Sequence, residues 1–319
     1  MLTTDKTMLF CIGAQKAGTS WLYSWLSTHP ECHMPVKEVH YFDAVVDPKR
    51  AVAVIKRRNA TAERVKARAG KVKSRALARK SQKSPEQVTV INDHTALLER
   101  SITNSGDDSD YLAFLLKDSD SKPVIGDITP SYATLSRNEF ARMSQLSQNS
   151  RFLYRMRDPI DRLWSEIRMS GLKTAKRVTT GKGKGQVETS DELYTRRCFK
   201  QLDAAIAEGP LTGPHRSNYM STLSELAAAV PEDKFMTMFF EDMFEQASVD
   251  KVCAFIGIAP VPAQVEAVRF PGRKLAFPQD RYAGAYKCLS SQYEGAAAKF
   301  GDALPARWRD RMKAGQANG

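Results

Sequence analysis

No run of 18 uninterrupted apolar residues occurs in this chain, so it is not expected to cross a membrane as a helix. Cysteine is scarce. Its five copies, Cys11, Cys32, Cys198, Cys253 and Cys288, are odd in number and scattered, and none falls in a C-x-x-C pair. That pattern argues against a disulfide framework and a zinc site, and it suits a reducing cytoplasm. The stretch from Met1 to Thr7 is short and polar, lacks the apolar core of a secretory signal, and runs directly into an apolar strand, Met8 to Ile12. A cytoplasmic protein is therefore expected. Internal repeats are also absent.

What is present is enough apolar material for one sizeable α/β core or two small ones: 42% of 319 residues are hydrophobic. The formal net charge of +12 is concentrated in one place. Residues 49–83 hold 14 Lys or Arg against the single acid Glu63, so the rest of the chain is close to neutral. The Ala, Lys and Arg content of this segment predicts helix, punctuated by Gly70 and Pro85.

Along the chain, apolar runs alternate with amphipathic ones. MLFCIG reads as a strand and TSWLYSWLSTH as a helix, with Trp21, Leu22, Trp25 and Leu26 on one face and Pro30 as its stop. A short helix is expected over Asp110–Lys117, a strand in Pro123–Pro130, a helix over Asn138–Gln148 and a strand over Arg151–Met156. A helix follows over Asp158–Met169, with Asp158 as cap and Pro159 at its first position. Further helices are expected near 191–207 and 217–229, then a strand over Lys234–Phe240. The strands are continuous apolar runs without clean alternation, as in a mainly parallel sheet covered on both faces. The expected architecture is α/β: one domain, 1–319, with a basic helical insertion at about 48–108.

GAQKAGTS, Gly13 to Ser20, lies between a strand and a helix. Two glycines five apart let backbone amides curl inward toward a phosphate, and the helix N-terminus adds its dipole. In the nucleotide-triphosphate loop a lysine follows the second glycine; here Thr19 stands there and the lysine, Lys16, lies inside the loop. QKAGTSWL resembles the 5′-phosphosulfate loop of sulfotransferases that use 3′-phosphoadenosine-5′-phosphosulfate (PAPS). The resemblance implies a P-loop-type three-layer fold. It also implies that Lys16 reaches the phosphosulfate while Ala17, Gly18, Thr19, Ser20 and Trp21 complete the loop site.

Arg157 closes the strand RFLYRM, and Ser165 follows eight residues later, about two helical turns in. An arginine at the C-terminal end of such a strand sits where α/β sheets bind ligands, and its fork suits a phosphate monoester. The pair resembles the family's 3′-phosphate motif. Ser217, Tyr219, Arg273 and Lys274 fall where the family completes the nucleotide site, in a looser match.

Sulfuryl transfer needs a group to take the acceptor's proton, and its phosphate leaving group demands no metal. Lys16 suits the charge on that leaving group. KEVHYFD, Lys37 to Asp43, resembles the K-E-x-H-[FY]-F-D segment of the glycan (heparan-type) sulfotransferases and their bacterial relatives. The resemblance implies Glu38 as general base, with Lys37 beside it; His40 is the second candidate, since the small-molecule branch uses a histidine. His29 and His33 are expected to be bystanders. GDITPSYA, Gly126 to Ala133, resembles the segment lining the acceptor pocket, which makes Asp127 and Tyr132 pocket residues.

The expected activity is sulfuryl transfer from PAPS to an acceptor hydroxyl or amine, on a saccharide or small molecule, with adenosine 3′,5′-bisphosphate as product. No nucleic acid is required. Two alternatives stand: a P-loop kinase-like phosphotransferase, which Thr19 at the lysine position disfavours, and a nucleic-acid or membrane-surface binder driven by residues 49–83. The same segment could cap the site or recruit an anionic acceptor, and TGKGKGQ, Thr180 to Gln186, could fold as a lid.

Overall fold

A computed structural model describes residues 3–69, 84–103, 107–178, 190–209, 215–263 and 273–317. The second half of the basic segment and the TGKGKGQ loop lie outside these residues. Five strands form the sheet: β1 (Thr7–Gly13), β2 (Cys32–His33), β3 (Val124–Ile128), β4 (Ser150–Met156) and β5 (Phe235–Phe239). Their order is β2-β3-β1-β4-β5, and every pairing is parallel.

Register aligns the strand ends. Cys11 lies opposite Ile128 and Gly13 opposite Tyr154, while Met156 lies opposite Phe239. The loops after β1, β3, β4 and β5 therefore leave from one edge. From β1 the chain passes to β2 and β3 on one flank and later to β4 on the other. This reversal is where open α/β sheets place their ligands.

Alternate residues of β1 explain the layering. Met8, Phe10 and Ile12 belong to one apolar core; Leu9 and Cys11 belong to another on the opposite face. The second core is roofed by α1 (Thr19–Leu26), through Trp21, Leu22, Trp25 and Leu26, the four positions its sequence spacing placed on one side. Val249, Val252, Cys253 and Ile256, near the late Gly257, complete this roof. The larger core takes α2 (Tyr41–Val46), followed in the chain by α3 (Pro48–Ala69), α4 (Ser84–Thr103) and α5 (Ser109–Leu116). It also takes α6 (Arg137–Ser144), α7 (Pro159–Val178), α8 (Ser190–Ala207) and α9 (Tyr219–Ala227). After α10 (Gln246–Ile256) come α11 (Tyr282–Phe300) and α12 (Ala306–Ala317), which also join the larger core.

The sequence expectation of a mainly parallel sheet between two helical layers holds. Several helix bounds differ. The helix expected over Asn138–Gln148 stops at Ser144; it starts one residue earlier because Ser136 and Glu139 form a capping box. The helix expected to end at Met169 runs on to Val178. The basic segment contributes α3, which pairs with α4; Leu98 of α4 packs with Ala44, Ala51 and Val54, and Leu97 enters the main core.

Trp308 on α12 is fully enclosed and meets Tyr219, Phe239 and Tyr293 at ring-centroid distances of 5.5 to 5.9 Å. It welds the last helix to the β5 end of the sheet. Trp308→Ala is expected to destabilise the protein by roughly 3–5 kcal/mol, seen as a lower urea midpoint with an unchanged slope.

Candidate functional site

The loop after β1 is gripped from outside by arginines. Arg155 and Arg157, two residues apart on the β4 strand and its exit, donate to the carbonyls of Gly18 and Lys16, each at 3.2 Å. Arg216 donates to Gln15 Oε1 at 2.7 Å. With those outward groups engaged, the first helical amides of α1, those of Thr19 and Ser20, have no carbonyl one turn back to bond. They face a position that favours an anion. Gly18, at φ 79°, is the left-handed cap of this helix, and a Cβ there would meet Met243 Sδ at 2.5 Å and Arg155 Nη2 at 3.0 Å. Both the conformation and the close approach require glycine. Ala17 and Trp21 are buried beneath the loop; the Trp21 ring stacks on Trp25 at 6.2 Å.

Lys16 also has a positive φ, 74°, and its Nζ lies 3.8 Å from Met169 Sδ. The amine thus leans across the loop toward α7, the helix that carries Ser165. A thioether is a weak acceptor, so this contact does not compete with a phosphate oxygen.

Arg157 lies with its guanidinium 4.3 Å over the Phe240 ring. Burial lowers its pKa, but a guanidinium stays charged. Its buried Nε has no hydrogen-bond partner among the described residues, which leaves donor capacity for a phosphate. Tyr219 is fully buried and donates its hydroxyl to the Arg157 carbonyl at 2.7 Å, so it holds the strand end that presents the arginine. Ser165 is half-buried. Residues 273–275 run alongside its helix: Trp164 Nε1 donates to Leu275 O at 2.9 Å and Arg168 to Arg273 O at 3.4 Å. The backbone of residues 273–275 therefore lies along α7, against Trp164 and Arg168 on either side of Ser165 in sequence. The Arg273 side chain turns to α8, lying 4.6 Å over Tyr194 and pairing with Asp191, and Lys274 is exposed.

The KEVHYFD segment hangs from the end of β3, where the Glu38 N–H donates to Ile128 O at 3.2 Å. Glu38 and His40 both have left-handed backbones, φ 61° and 59°. For residues with a Cβ that conformation costs about 1–2 kcal/mol each, so the surroundings must hold it. Lys37 Nζ pairs with Glu38 Oε1, and His40 Nε2 lies 3.6 Å from Glu38 Oε2. On its other side His40 Nδ1 lies 2.9 Å from Asp43 Oδ2 and 3.1 Å from Ser131 Oγ. Arg50 donates to the same Asp43 oxygen at 3.1 Å.

These charges set protonation. Burial alone would raise the Glu38 pKa, but the His40 contact and the Lys37 ammonium override it and hold the carboxyl well below the usual range. Burial would lower the His40 pKa, but Asp43 and Glu38 outweigh it and raise it. His40 thus sits between two carboxylates that favour its protonated form.

Asp127 and Tyr132 are fully enclosed behind this segment. Asp127 Oδ2 accepts from Tyr111 at 2.9 Å and Tyr132 at 2.8 Å, and Tyr132 in turn accepts the Tyr41 N–H at 3.0 Å. Burial pushes the Asp127 carboxyl up to about 6 against the hydrogen bonds it receives. The pair fixes the first turn of α2, directly after His40. His29 binds Ala259 O at 3.1 Å, and His33 lies on the outer strand β2.

Sequence reasoning passed over Asp43, Ser131, Arg50, Arg155 and Arg216. Asp43 stood inside the quoted heptapeptide, and Arg155 alternates with Arg157 along one strand; both signals were available. Arg162 is another. It is fully buried, donates to Glu166 at 2.7 Å one turn on, and bonds Ser217, the residue beside Arg216.

Comparison with known proteins bears on the fold and the family. The chain aligns with a crystal structure of a sulfotransferase from Alicyclobacillus acidocaldarius over 96% of its own length and 100% of that chain, at 16% identity and a TM-score of 0.53. A sulfotransferase domain from the curacin biosynthetic pathway aligns over 100% of this chain and 98% of its own, at 14% identity and a TM-score of 0.44. One from the Synechococcus PCC 7002 olefin synthase covers 81% and 74%, at 14% and 0.42. No curated protein matches in sequence. The model of the sulfotransferase family matches residues 9–262, which takes in the glycine loop after β1, the KEVHYFD segment and the Arg157–Ser165 pair, and the chain therefore belongs to the sulfotransferase family, whose enzymes draw on PAPS.

Proposed function

We propose that this sulfotransferase moves the sulfuryl group to an acceptor hydroxyl by in-line displacement, with Glu38 as general base. The observation that supports this most is the arrangement around Glu38: a carboxylate held low by Lys37 and by a histidine whose own pKa its two carboxylate neighbours raise, at the strand edge that carries the glycine loop. While His40 is protonated, Glu38 is the one of the two base candidates with a lone pair free to accept a proton.

On this reading the loop amides of Gly18, Thr19 and Ser20 hold the 5′-phosphosulfate end, and Arg157 with Ser165 holds the 3′-phosphate. Bound there, PAPS supplies an activated sulfuryl group on a phosphate leaving group. Lys16 places a positive charge where the leaving oxygen becomes negative. Lys37, paired with Glu38, lies on the acceptor side and offsets charge on the transferring group. His40 keeps Glu38 oriented through its contact with Oε2, and Asp43 and Ser131 keep His40 oriented in turn. Charge and leaving-group stabilisation are thus supplied by side chains, and no metal is assigned a role. The acceptor is proposed to be a saccharide or another hydroxyl compound.

Three outcomes follow. Glu38→Gln and Lys16→Ala each lower sulfuryl transfer from radiolabelled PAPS by at least about 100-fold in a screen of hydroxyl acceptors, while Glu38→Gln leaves adenosine 3′,5′-bisphosphate binding unchanged by calorimetry. Full activity in Glu38→Gln moves the base role elsewhere, and no uptake of the bisphosphate by the native chain removes the reading altogether. Arg157→Ala weakens bisphosphate binding by roughly 10-fold to 100-fold, the worth of a charge-assisted bond to phosphate. His40 has a raised folded pKa, so its contribution to stability is complete below the ordinary histidine value of 6.5 and fades as pH rises through the folded value. Urea unfolding of the native chain and of His40→Asn should therefore differ more at pH about 6 than at pH about 9.

A further inference from the structure

The stretch from Lys37 to His40 has no helix or strand of its own, yet it carries the proposed base and two left-handed residues. Backbone without a hydrogen-bonding ladder needs other partners for its carbonyls. Here those partners come from the basic insertion. Arg58 on α3 donates through Nη2 to the carbonyls of Lys37, at 2.6 Å, and Glu38, at 3.1 Å. His94 on α4 reaches the next carbonyl, that of Val39, at 2.6 Å. A carbonyl only accepts, so His94 carries its proton on Nε2. Its ring is fully buried, and burial keeps it neutral by pushing its pKa down to about 3. Arg50, also on α3, binds the Asp43 carboxylate that faces His40. One helical hairpin thus holds three consecutive carbonyls and the acid behind the histidine.

We infer that Arg58 and His94 are positioning residues for sulfuryl transfer: they fix the backbone of residues 37–39 so that Glu38 faces the acceptor. The inference rests on the reading of Glu38 as base. It makes the α3–α4 hairpin a structural part of the active site, whatever else its exposed cations bind. Arg58 suits the task because a guanidinium can donate to two adjacent carbonyls while adding positive charge beside the carboxylate. Its own burial lowers its pKa, an effect that the Glu38 charge opposes. The charged and titratable groups around Glu38 are Lys37 and His40 from its own segment and Arg58 from α3. Asp43, Arg50 and the enclosed Asp127 stand one layer further out, around His40.

The test uses the full chain with Arg58→Ala, Arg58→Lys, His94→Gln and His94→Leu. Three quantities are read: calorimetric affinity for adenosine 3′,5′-bisphosphate, slow hydrolysis of radiolabelled PAPS with water as acceptor, and the Glu38 carboxyl titration by carbon NMR, assigned with Glu38→Gln. Arg58→Ala is expected to leave nucleotide affinity within about twofold and to cut hydrolysis by about tenfold or more. Loss of a neighbouring cation should also move the Glu38 midpoint upward by about half a pH unit. Arg58→Lys keeps the charge and should restore the midpoint but only part of the rate. His94→Gln keeps an N–H donor and should outperform His94→Leu. Unchanged hydrolysis per nucleotide-binding molecule in Arg58→Ala overturns the inference. If that variant does not fold, equal rates for His94→Gln and His94→Leu overturn it, and if hydrolysis is too slow to follow, an unmoved Glu38 midpoint in Arg58→Ala does so. A Glu38→Gln enzyme as fast as the native one removes the base reading instead, so the two failures are separable.

Discussion

Two arginines on one strand exit reach across to the neighbouring strand's loop, and the site is arranged around that bridge. Arg155 and Arg157 bond the carbonyls of Gly18 and Lys16. A phosphate loop requires its amides to point inward, and the carbonyls must then point elsewhere and still find partners. Arg157 supplies one for Lys16, and Arg155 adds a bond to the Gly18 carbonyl, which also accepts the Trp21 and Leu22 amides. Because β1 and β4 are adjacent and parallel, the same contact brings the loop after β1 and the Arg157 guanidinium within one side chain's reach. Arg155, fully buried, has its pKa depressed to about 10 by burial and remains charged, so a positive centre persists under the loop.

The β3 side of the sheet edge is organised by a second constraint, the strained segment from Lys37 to His40. Two left-handed residues with side chains persist only where their surroundings over-determine them. Ile128 at the β3 end, Arg58, His94 and the Tyr132–Asp127 pair beneath α2 together do so. The sheet therefore supports both halves of the site by the same device. Strand ends hold loop backbone, and buried polar side chains take up the groups the loops cannot pair themselves.

Much of this was legible in the sequence, for identifiable reasons. Strands buried on both faces read as continuous apolar runs, and α1 advertised its buried face through Trp21, Leu22, Trp25 and Leu26. The loop and Arg157 were legible because glycine spacing and a strand-end arginine carry geometry in themselves. Asp127 and Tyr132 were expected to line a pocket, but β3, which carries Asp127, lies between β1 and β2 with all five of its residues buried, and Tyr132 in the turn after it is equally enclosed and donates to Asp127. Nothing in a single strand's composition reveals that it is internal on both flanks. The basic segment was read by its charge. Composition counts cations without saying where each points, and Arg50 and Arg58 point inward to the base segment. Tertiary placement alone distinguishes them from Lys49, Lys56 and Arg57, which are exposed.

If Glu38 is the base, its environment bears on when the proton moves. A carboxylate flanked by Lys37 and His40 is ionised throughout the working range but intrinsically weak as a base. Such a group cannot deprotonate a free alcohol in advance. It can accept a proton that becomes acidic as the acceptor oxygen donates its electrons to sulfur. Positioning then matters more than basicity, because the carboxylate must already be within reach when that acidity develops. A backbone pinned at three successive carbonyls is what such timing calls for. The cations that weaken Glu38 as a base also face the charge that accumulates on the transferring group, so a stronger base would come only with less of that stabilisation.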